Sequence, residues 1–373
     1  ENLTMDELNK VTLSVGGHDY AGWKNISIGA GLERQARDFN LGVTWRWPGS
    51  AEVPVRIRQG EAVELRIGPD LLLTGYVFST PVRYDSESVT LSISGRSRTA
   101  DLVDCAAVNR PGQWRGQSVQ TIIAAIAGEY GIKVINDAAV TLGLEDHTLE
   151  PGETAFESID RLLTLSRLFS TDDGEGRLVI ARAGSAGRAV DTLELGKNLL
   201  SGETALDFSS VFSEYVSKGQ RSGSDDSFGA AASEVEARLS DPRITRRRVK
   251  VIQQSGQLTA ALARERVEWE RASAVGKALT VSYVVQGWRQ SNGALWRHNM
   301  LVRVVDPLIG LDRDMLISEI SYELGEQGTT AKISVAPPEA FLPEPNDAHE
   351  KRKLKKGKKT DNFEYLIPAD YKP

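Results

Sequence analysis

The chain reads VTLSISGRSRTADLVDC at residues 89–105, and the first part of this stretch decides the fold of the residues around it. Apolar side chains alternate with polar ones from Val89 to Ile93, which is the period of a β-strand with one buried face. The same alternation recurs upstream, at residues 11–15, 53–57 and 63–67. Short turns rich in Gly, Pro and Asp separate these segments and favour hairpins over helical crossovers. We therefore predict an antiparallel β-barrel-like domain over residues 1–109.

Helical periodicity follows this β segment. Ser118 is placed to cap a helix whose apolar stripe runs through residues 119–130. A second helix begins at Thr154, because Thr154 and Glu157 have the spacing of a capping box ahead of an apolar run. The sequence therefore predicts a small mixed α/β domain over residues 110–200.

Strand alternation returns after residue 207 and is clearest between residues 279 and 335. A Gly/Ser-rich stretch predicts a mobile loop at 217–233. The charged segment 257–274 has a narrow apolar side, formed by Leu258, Leu262 and Trp269, and is typical of a surface helix. We predict a second β-barrel-like domain over residues 201–343, so the fold class is mainly β with α+β parts.

Asn292-Gly293 is the strongest hairpin signal in the chain, since both central residues of a type I′ turn need positive φ. A two-residue turn there gives two cross-strand Trp/Arg pairs on opposite faces, namely Arg289 with Trp296 and Trp288 with Arg297. Two interpretations stay open. At least one tryptophan packs in the core, or an exposed Trp/Arg pair contributes to a protein interface, where both residue types are enriched.

No arrangement of residues in the sequence indicates catalysis or metal binding. The four histidines have no neighbours at metal-ligand spacing, and His349-Glu350 lacks the second histidine of a zinc-protease helix. The single cysteine, Cys105, excludes an intrachain disulfide and a multi-cysteine metal site. No phosphate-binding, dinucleotide-binding or serine-hydrolase motif occurs. We predict no cofactor, no metal site and no catalytic residues, hence a protein that is not an enzyme.

Three further segments have both a chemical and a structural interpretation, and the structural one is favoured in each. Asp146-His147 could form an acid–base pair, but His147 reads better as a loop residue before Pro151. Cys105 could be a nucleophile, but a small buried side chain is the simpler interpretation. The acidic segment 172–176 lacks the alternating ligands of a calcium loop and reads as a turn.

Length and charge bound the remaining possibilities. At 373 residues the chain exceeds the ~250 to 300 residues that one hydrophobic core serves, so several domains are expected. No apolar run approaches the length of a membrane helix, and we predict no membrane span. Residues 1–343 carry 37 basic and 45 acidic side chains, a balance that disfavours nonspecific attraction to phosphate backbones.

Residues 344–373 are predicted to form an extended basic tail. Seven of the nine residues at 351–359 are basic: Lys351, Arg352, Lys353, Lys355, Lys356, Lys358 and Lys359. One interpretation of this run is an arm that binds nucleic acid or an anionic surface. We favour the other, a solvated linker or protein-docking segment, because no aromatic residue interleaves the run. The apolar segment with Phe363 and Tyr365 that follows could add to a neighbouring chain as a strand or plug.

Several stretches resemble the baseplate hub proteins of contractile phages of the Mu type. The motif LTGYV at 73–77 and the stretch ISGRSRTADLVDC at 93–105 are similar to the hub signature. Residues 156–163 and 176–180 resemble the middle of the late control gene D family, and residues 287–305 resemble the C-terminal part of the Mu-type hub. The resemblance covers roughly residues 10–342, and leaves out the Gly/Ser-rich loop and the lysine run.

This resemblance implies a structural protein whose function is carried by interfaces. It implies a homotrimer in which two β domains per chain form a ring of six, adapting the six-fold tail tube to the three-fold spike and letting DNA pass. The implied partners are the tail spike, the tail tube and other baseplate proteins, and the implied location is the virion baseplate after assembly in the host cytoplasm. An alternative function is a tail-tip peptidoglycan hydrolase or carbohydrate-binding module on the same β scaffold.

Overall fold

The computed structural model describes residues 5–32, 34–46, 57–139, 146–165, 168–220, 234–257, 259–342 and 345. The helices are α1 (Met5–Leu8), α2 (Ala100–Asp104), α3 (Val119–Gly128), α4 (Ala155–Leu165) and α5 (Ala260–Ala278), with a 3₁₀ helix at Pro338–Phe341.

The strands of the N-terminal part are β1 (Val11–Val15), β2 (His18–Tyr20), β3 (Asn25–Gly31), β4 (Asp38–Arg46), β5 (Ala62–Ile67), β6 (Asp70–Ser79), β7 (Val82–Tyr84) and β8 (Ser88–Ser97). Those of the middle part are β9 (Gln113–Arg115), β10 (Val134–Asn136), β11 (Asp146–Thr148), β12 (Phe169–Asp172), β13 (Leu178–Ala181), β14 (Leu193–Glu194) and β15 (Leu199–Glu203). The rest are β16 (Glu214–Gln220), β17 (Glu234–Ser240), β18 (Val249–Gln257), β19 (Val281–Gln286), β20 (Leu301–Asp306), β21 (Leu311–Gly325) and β22 (Gly328–Ala336).

One continuous sheet of fourteen strands dominates the molecule, and the predicted mainly β class is confirmed. Its main path runs β15-β19-β22-β21-β3-β4-β8-β6-β5-β1-β2. We refer to strands β1–β8 as the first β region and to strands β19–β22 as the second β region. The antiparallel pairing of β21 with β3, for example Ile320 opposite Ala30, joins the two. Among the described residues this strand order does not return on itself, so the predicted barrels are not closed within the chain.

The two β regions also share one hydrophobic core. Alternate residues of each strand point into it, as the fully buried Leu13, Leu65 and Ile93 do from the first region and Tyr283 and Ile333 do from the second. This inward alternation is the pattern on which the strand predictions rested. The shared core explains why the two regions form one body.

Two glycines of the hub-like motif allow β6 and β8 to approach closely. A Cβ on Gly75 would lie 2.0 Å from the backbone oxygen of Arg96, and one on Gly95 would lie 2.1 Å from that of Tyr76. Real Cβ atoms do not tolerate such distances, so only glycine fits at either position. The motif therefore encodes the contact between these two strands.

A small α/β unit, residues 99–182, has its own core around α3, α4 and the sheet β10-β13-β12. Both predicted caps are present. The Ser118 hydroxyl accepts a hydrogen bond from the Thr121 N–H at 3.1 Å, and Thr154 and Glu157 bond reciprocally at 2.7 and 3.1 Å. Leu102 packs in this core, so the unit begins before residue 110, where the sequence pattern had placed its start.

An outer unit, the described residues from 208 to 278, consists of the sheet β17-β16-β18 covered by α5. It lies within the single domain predicted for 201–343, but it has a separate sheet and small cores of its own. Residues 217–220 belong to β16 and are not loop, while 221–233 lie outside the described residues.

The predicted surface helix begins three residues later than expected. Thr259 caps α5 by accepting a hydrogen bond from the Leu262 N–H at 3.2 Å. Leu262 and Val267 are buried against the sheet, Trp269 is half-buried, and Leu258 lies outside the described residues. The helix therefore has one buried face and one exposed charged face.

The Asn292-Gly293 hairpin forms with a different turn from the predicted one. Gly293 has φ +84°, but Asn292 is not at positive φ, and the bridge pairs Arg289 with Leu295 instead of Trp296. The side chain of Asn292 accepts a hydrogen bond from the Ala294 N–H at 3.0 Å, which stabilises a loop of three residues. The predicted type I′ register is therefore wrong by one residue.

Candidate functional site

A polar junction connects the first β region, the α/β unit and the second β region. Its centre is Arg37, just before β4, which contacts the end of β12. The Arg37 backbone N–H donates to Asp172 Oδ2 at 3.0 Å, and its Nε donates to Asp172 Oδ1 at 3.1 Å. The same guanidinium also donates to the backbone oxygens of Leu72 (2.9 Å) and Asp172 (3.0 Å). One side chain thereby fixes the α/β unit against two strands of the first β region.

The Asp172 carboxylate is fully buried, whereas the sequence pattern placed it in an acidic turn. Burial raises the pKa of Asp172, and the charge and hydrogen bonds of Arg37 oppose that rise. Removing either partner would leave an unpaired charge in the interior, which is far more costly than the pair is favourable. The pair therefore holds these two units in one orientation.

His298 extends the junction to the second β region. Its Nε2 lies 2.7 Å from the hydroxyl oxygen of Thr171, which immediately precedes Asp172. His298 is buried, and burial together with the positive charges of Arg37 and Arg297 lowers its pKa to about 3. The imidazole is therefore neutral at physiological pH and acts as a hydrogen-bonding group between the units.

The next residue, Asn299, adds three more hydrogen bonds, to the segment 182–185 that follows β13. It has φ +62°, and its side-chain amide donates to the Arg182 backbone oxygen at 2.9 Å and to the Ser185 hydroxyl at 3.0 Å. Its Oδ1 accepts from the Gly184 N–H at 2.8 Å. Asparagine is one of the few residues that tolerate this backbone conformation, so both its backbone and its side chain suit the position.

Arg289 provides a second connection, between the tip of the second β region and the start of the first. Its guanidinium donates to the backbone oxygens of Leu8 (2.7 Å) and Ile67 (3.1 Å) and to Asp70 Oδ2 (2.7 Å). Only 12% of its side chain is exposed. Among the predicted interaction residues, Arg289 thus serves a contact within the chain.

The other residues of the predicted Trp/Arg surface divide between core and surface. Trp288 and Trp296 are both buried, which agrees with the core-packing interpretation and removes them from the outer surface. Trp288 Nε1 donates to the backbone oxygens of Glu323 and Thr330, and its ring meets Tyr322 edge-on at 6.5 Å. Arg297 is exposed, and its role at an interface stays a prediction.

The residues considered for catalysis have structural surroundings. His147 is in β11 and not in a loop, its Nε2 lies 2.9 Å from the Ser158 hydroxyl, and both side chains are buried. Burial lowers the pKa of His147 to about 4. Cys105 is half-buried, not buried as expected. In the ranges that the structure describes, no three His, Cys, Asp or Glu side chains gather as a metal site.

Two further observations concern the surface of the chain. The helices of the described residues include none with the length and apolar character to cross a membrane. Apart from residue 345, the predicted basic tail, with its lysine run, Phe363 and Tyr365, lies outside the described residues.

Sequence reasoning missed the junction residues Arg37, Thr171, Asp172 and His298. Each is an ordinary polar residue at an element end, and its partner lies more than a hundred positions away. Asp172 is the last residue of β12, and the two residues before it, Ser170 and Thr171, are also buried. The sequence around it gives no sign of this burial.

Three parts of the chain match described families of phage baseplate proteins. Residues 10–97 match the N-terminal domain of Mu phage baseplate assembly protein GpP-like proteins. Residues 99–182 match the second domain of baseplate hub protein gp44-like proteins, and residues 259–344 match the fourth domain of Mu phage baseplate assembly protein GpP.

Similar proteins cover nearly the whole chain. The baseplate hub protein gp44 of Escherichia phage Mu is 30% identical over 377 residues, covering 97% of this chain and 96% of the relative. The 43 kDa tail protein of prophage MuSo2 from Shewanella oneidensis has a similar structure, with a TM-score of 0.80, 33% identity, and coverage of 89% of this chain and 99% of the other. A tail protein from Neisseria meningitidis MC58 shares the fold, with a TM-score of 0.74, 22% identity, and coverage of 90% and 98%.

Proposed function

The chain belongs to the family of Mu-type baseplate hub proteins and has a structural role as a hub, and from this we propose that three copies of it form the centre of a contractile-tail baseplate. In this trimer each β region forms one barrel-like domain. The two domains of each of the three chains together make a ring of six domains. Such a ring adapts a six-fold tail tube to a three-fold spike. The function is carried by interfaces and involves no catalysis.

The observation that carries this proposal is that the two β regions form one body, with one core and one sheet. They share a core and a continuous sheet through β3 and β21, and Arg289 bonds the tip of the second region to the start of the first. A symmetry adapter needs this connection, because two similar domains can stand in for neighbouring subunits only when their mutual orientation is fixed. The terminal strands of the sheet path, β15 and β2, also leave edges that closed cyclic association would cover.

The acidic balance of the chain suits a passage for DNA. Residues 1–343 carry 37 basic and 45 acidic side chains, and a wall of the same sign as the duplex would let it slide without binding. In this proposal DNA contacts the hub only while it passes through the ring. The proposed location is the tail baseplate of the virion, after assembly in the host cytoplasm, with the tube, the spike and other baseplate proteins as neighbours.

Sedimentation velocity of the purified full-length chain tests the trimer. We expect a species of three times the chain mass, and a stable monomer across micromolar concentrations would overturn the symmetry-adapter role. The rival function, a tail-tip peptidoglycan hydrolase or carbohydrate-binding module, predicts clearing of cell-wall suspensions or binding to glycans, and we expect neither.

The basic tail is proposed to dock a downstream baseplate partner. A chain ending at residue 343 should then keep the oligomeric state of the full chain and lose binding to the purified spike. A control variant with Lys351, Lys353 and Lys356 replaced by glutamine separates the lysine run from the apolar segment at 363–367. Spike binding that survives the deletion would remove this role from the tail.

A further inference from the structure

The outer unit carries a basic cleft that the sequence analysis did not single out. Its lining consists of Phe208, Ser209, Arg243, Ile244, Thr245, Arg246 and Arg248, and its volume is about 420 Å³. With Arg247 and Lys250, five of the eight residues from 243 to 250 are basic and none is acidic. We refer to this group as the arginine cleft. A concentration of positive charge here contrasts with the acidic balance of the chain.

The basic side chains of the cleft differ in how far they are already engaged. Arg243 pairs with Asp241 at 3.0 Å, and Lys250 pairs with Glu270. Arg248 donates to the Ser209 backbone oxygen and lies over the Phe212 ring, 4.9 Å from its centroid. Arg246 and Arg247 are exposed, and neither forms an ion pair within the described part of the chain. Two guanidinium groups are therefore available to an acidic partner.

The lining favours a peptide over a nucleic acid. Phe208 and Ile244 give the cleft apolar area that a phosphate backbone cannot use. The aromatic ring nearest the basic residues, Phe212, already contacts two cations, Arg248 at 4.9 Å and Lys250 at 5.8 Å, which would compete with a base for stacking. The cleft thus suits a segment that combines carboxylates with an apolar or aromatic side chain.

The β7–β8 hairpin of the same chain has this composition. Val82 and Tyr84 share one face of β7 and are 54% and 78% exposed, while Arg83 lies on the other face. The turn that follows carries the exposed Asp85 and Glu87. Asp85 Oδ1 accepts hydrogen bonds from the backbone N–H groups of Glu87 and Ser88, both at 2.8 Å, so the turn is held in a fixed shape.

We propose that the β7–β8 hairpin of one copy docks in the arginine cleft of a second copy. Asp85 and Glu87 would face Arg246 and Arg247, while Tyr84 would cover Phe208 and Ile244. The inference rests on the proposed trimer, and this contact would join each copy to the next one in it. Because hairpin and cleft are different surfaces of one chain, the contact is head-to-tail, and such contacts form rings when the rotation closes.

Charge reversal with matched rescue tests the contact. The cleft variant R246E/R247E should weaken self-association about tenfold to a hundredfold by sedimentation velocity over a concentration series. The hairpin variant D85N/E87K, which keeps a side-chain acceptor at position 85 for the turn, should weaken it similarly. A single chain that carries both R246E/R247E and D85N/E87K should recover self-association, because the two reversed charges attract each other again. The control R115E/K133E changes two exposed bases of the α/β unit and should leave association unchanged.

A crosslink provides a second readout that does not depend on equilibrium. Tyr84→Cys and Thr245→Cys, both at exposed positions, should give covalent oligomers on mild oxidation when combined in one chain with Cys105→Ala. Either single-cysteine chain should give at most a dimer.

The outcomes separate this contact from the trimer itself. If the wild type is trimeric and all charge variants remain so, the docking contact is overturned and the hub proposal stands. If the wild type is monomeric, both fail. Binding of double-stranded DNA that R246E/R247E abolishes while the trimer persists would assign the cleft to nucleic acid and overturn the peptide assignment.

Discussion

The continuous sheet and the outer unit are both β-structures, but they are stabilised in different ways. In the sheet, fourteen strands enclose one large apolar core that contains Trp288 and Tyr283. In the outer unit, three strands and α5 enclose three small clusters, one of which consists of Tyr215, Ile252 and Val267. Ion pairs such as Lys250 with Glu270 contribute there too. A rigid scaffold and a less cohesive outer part therefore coexist in one chain.

Replacing Trp288 with alanine should have the largest effect, because the ring fills the scaffold core and its Nε1 satisfies two backbone oxygens. We expect a loss of about 3 to 5 kcal/mol in the free energy of unfolding, measured by urea denaturation. Leu308→Ala is the control, since this side chain is 85% exposed and its removal should be close to neutral. An effect below 1 kcal/mol at Trp288 would contradict the description of a single tightly packed core.

Asp172→Ala should cost about 3 kcal/mol, because it leaves the Arg37 guanidinium buried without its partner. The double change of Asp172→Leu with Arg37→Met should recover much of that loss, since two apolar side chains leave no unpaired charge. If the single and double variants are equally unstable, the ion pair does not control the stability of the junction. Limited proteolysis would show whether the α/β unit separates from the sheet.

Acidification should loosen the junction through His298. The pKa of His298 is about 3 in the fold, while an unfolded histidine titrates near ~6.5. Between these values the unfolded chain binds more protons, so the stability is complete above pH 6.5 and falls as the pH decreases. We expect about 2 kcal/mol from this residue between pH 7 and pH 5. His298→Gln should show a flatter pH dependence of thermal unfolding, and an unchanged slope would refute the assignment.

Val267→Ala probes the outer unit and should have the smallest effect, about 1 to 2 kcal/mol. Its consequence should be local. Amide hydrogen exchange should accelerate in β16 and β18, which pack on α5, and stay unchanged in β21 and β22. Equal acceleration in the large sheet would show that the two regions unfold as one unit and would remove the contrast between them.

Local patterns in the sequence predicted the elements well, and for a physical reason. The alternation from Val89 to Ile93 and the capping pair Thr154 and Glu157 depend only on neighbours along the chain. The same residues form the predicted strand and helix start in the structure. Fold class therefore followed from periodicity and capping.

Long-range pairing could not be read in this way. Nothing near β3 reveals that its partner is β21, so two separate β domains were predicted where one sheet exists. Arg37 and Asp172 are 135 positions apart, and an isolated aspartate gives no sign that it will be buried. At Asn292 the side chain formed a local hydrogen bond that selected a three-residue loop, a choice that the Asn-Gly pair alone does not determine.

The pairing of β3 with β21 can form only late in the synthesis of the protein. The ribosome releases β3 nearly three hundred residues before β21, so the first β region has an unpaired strand edge for most of translation. A chain cut short before residue 311 would lack β21 and keep that edge exposed. Such a product would be directed to aggregation or proteolysis and not to a particle. The large sheet is therefore completed only in chains that extend through β21.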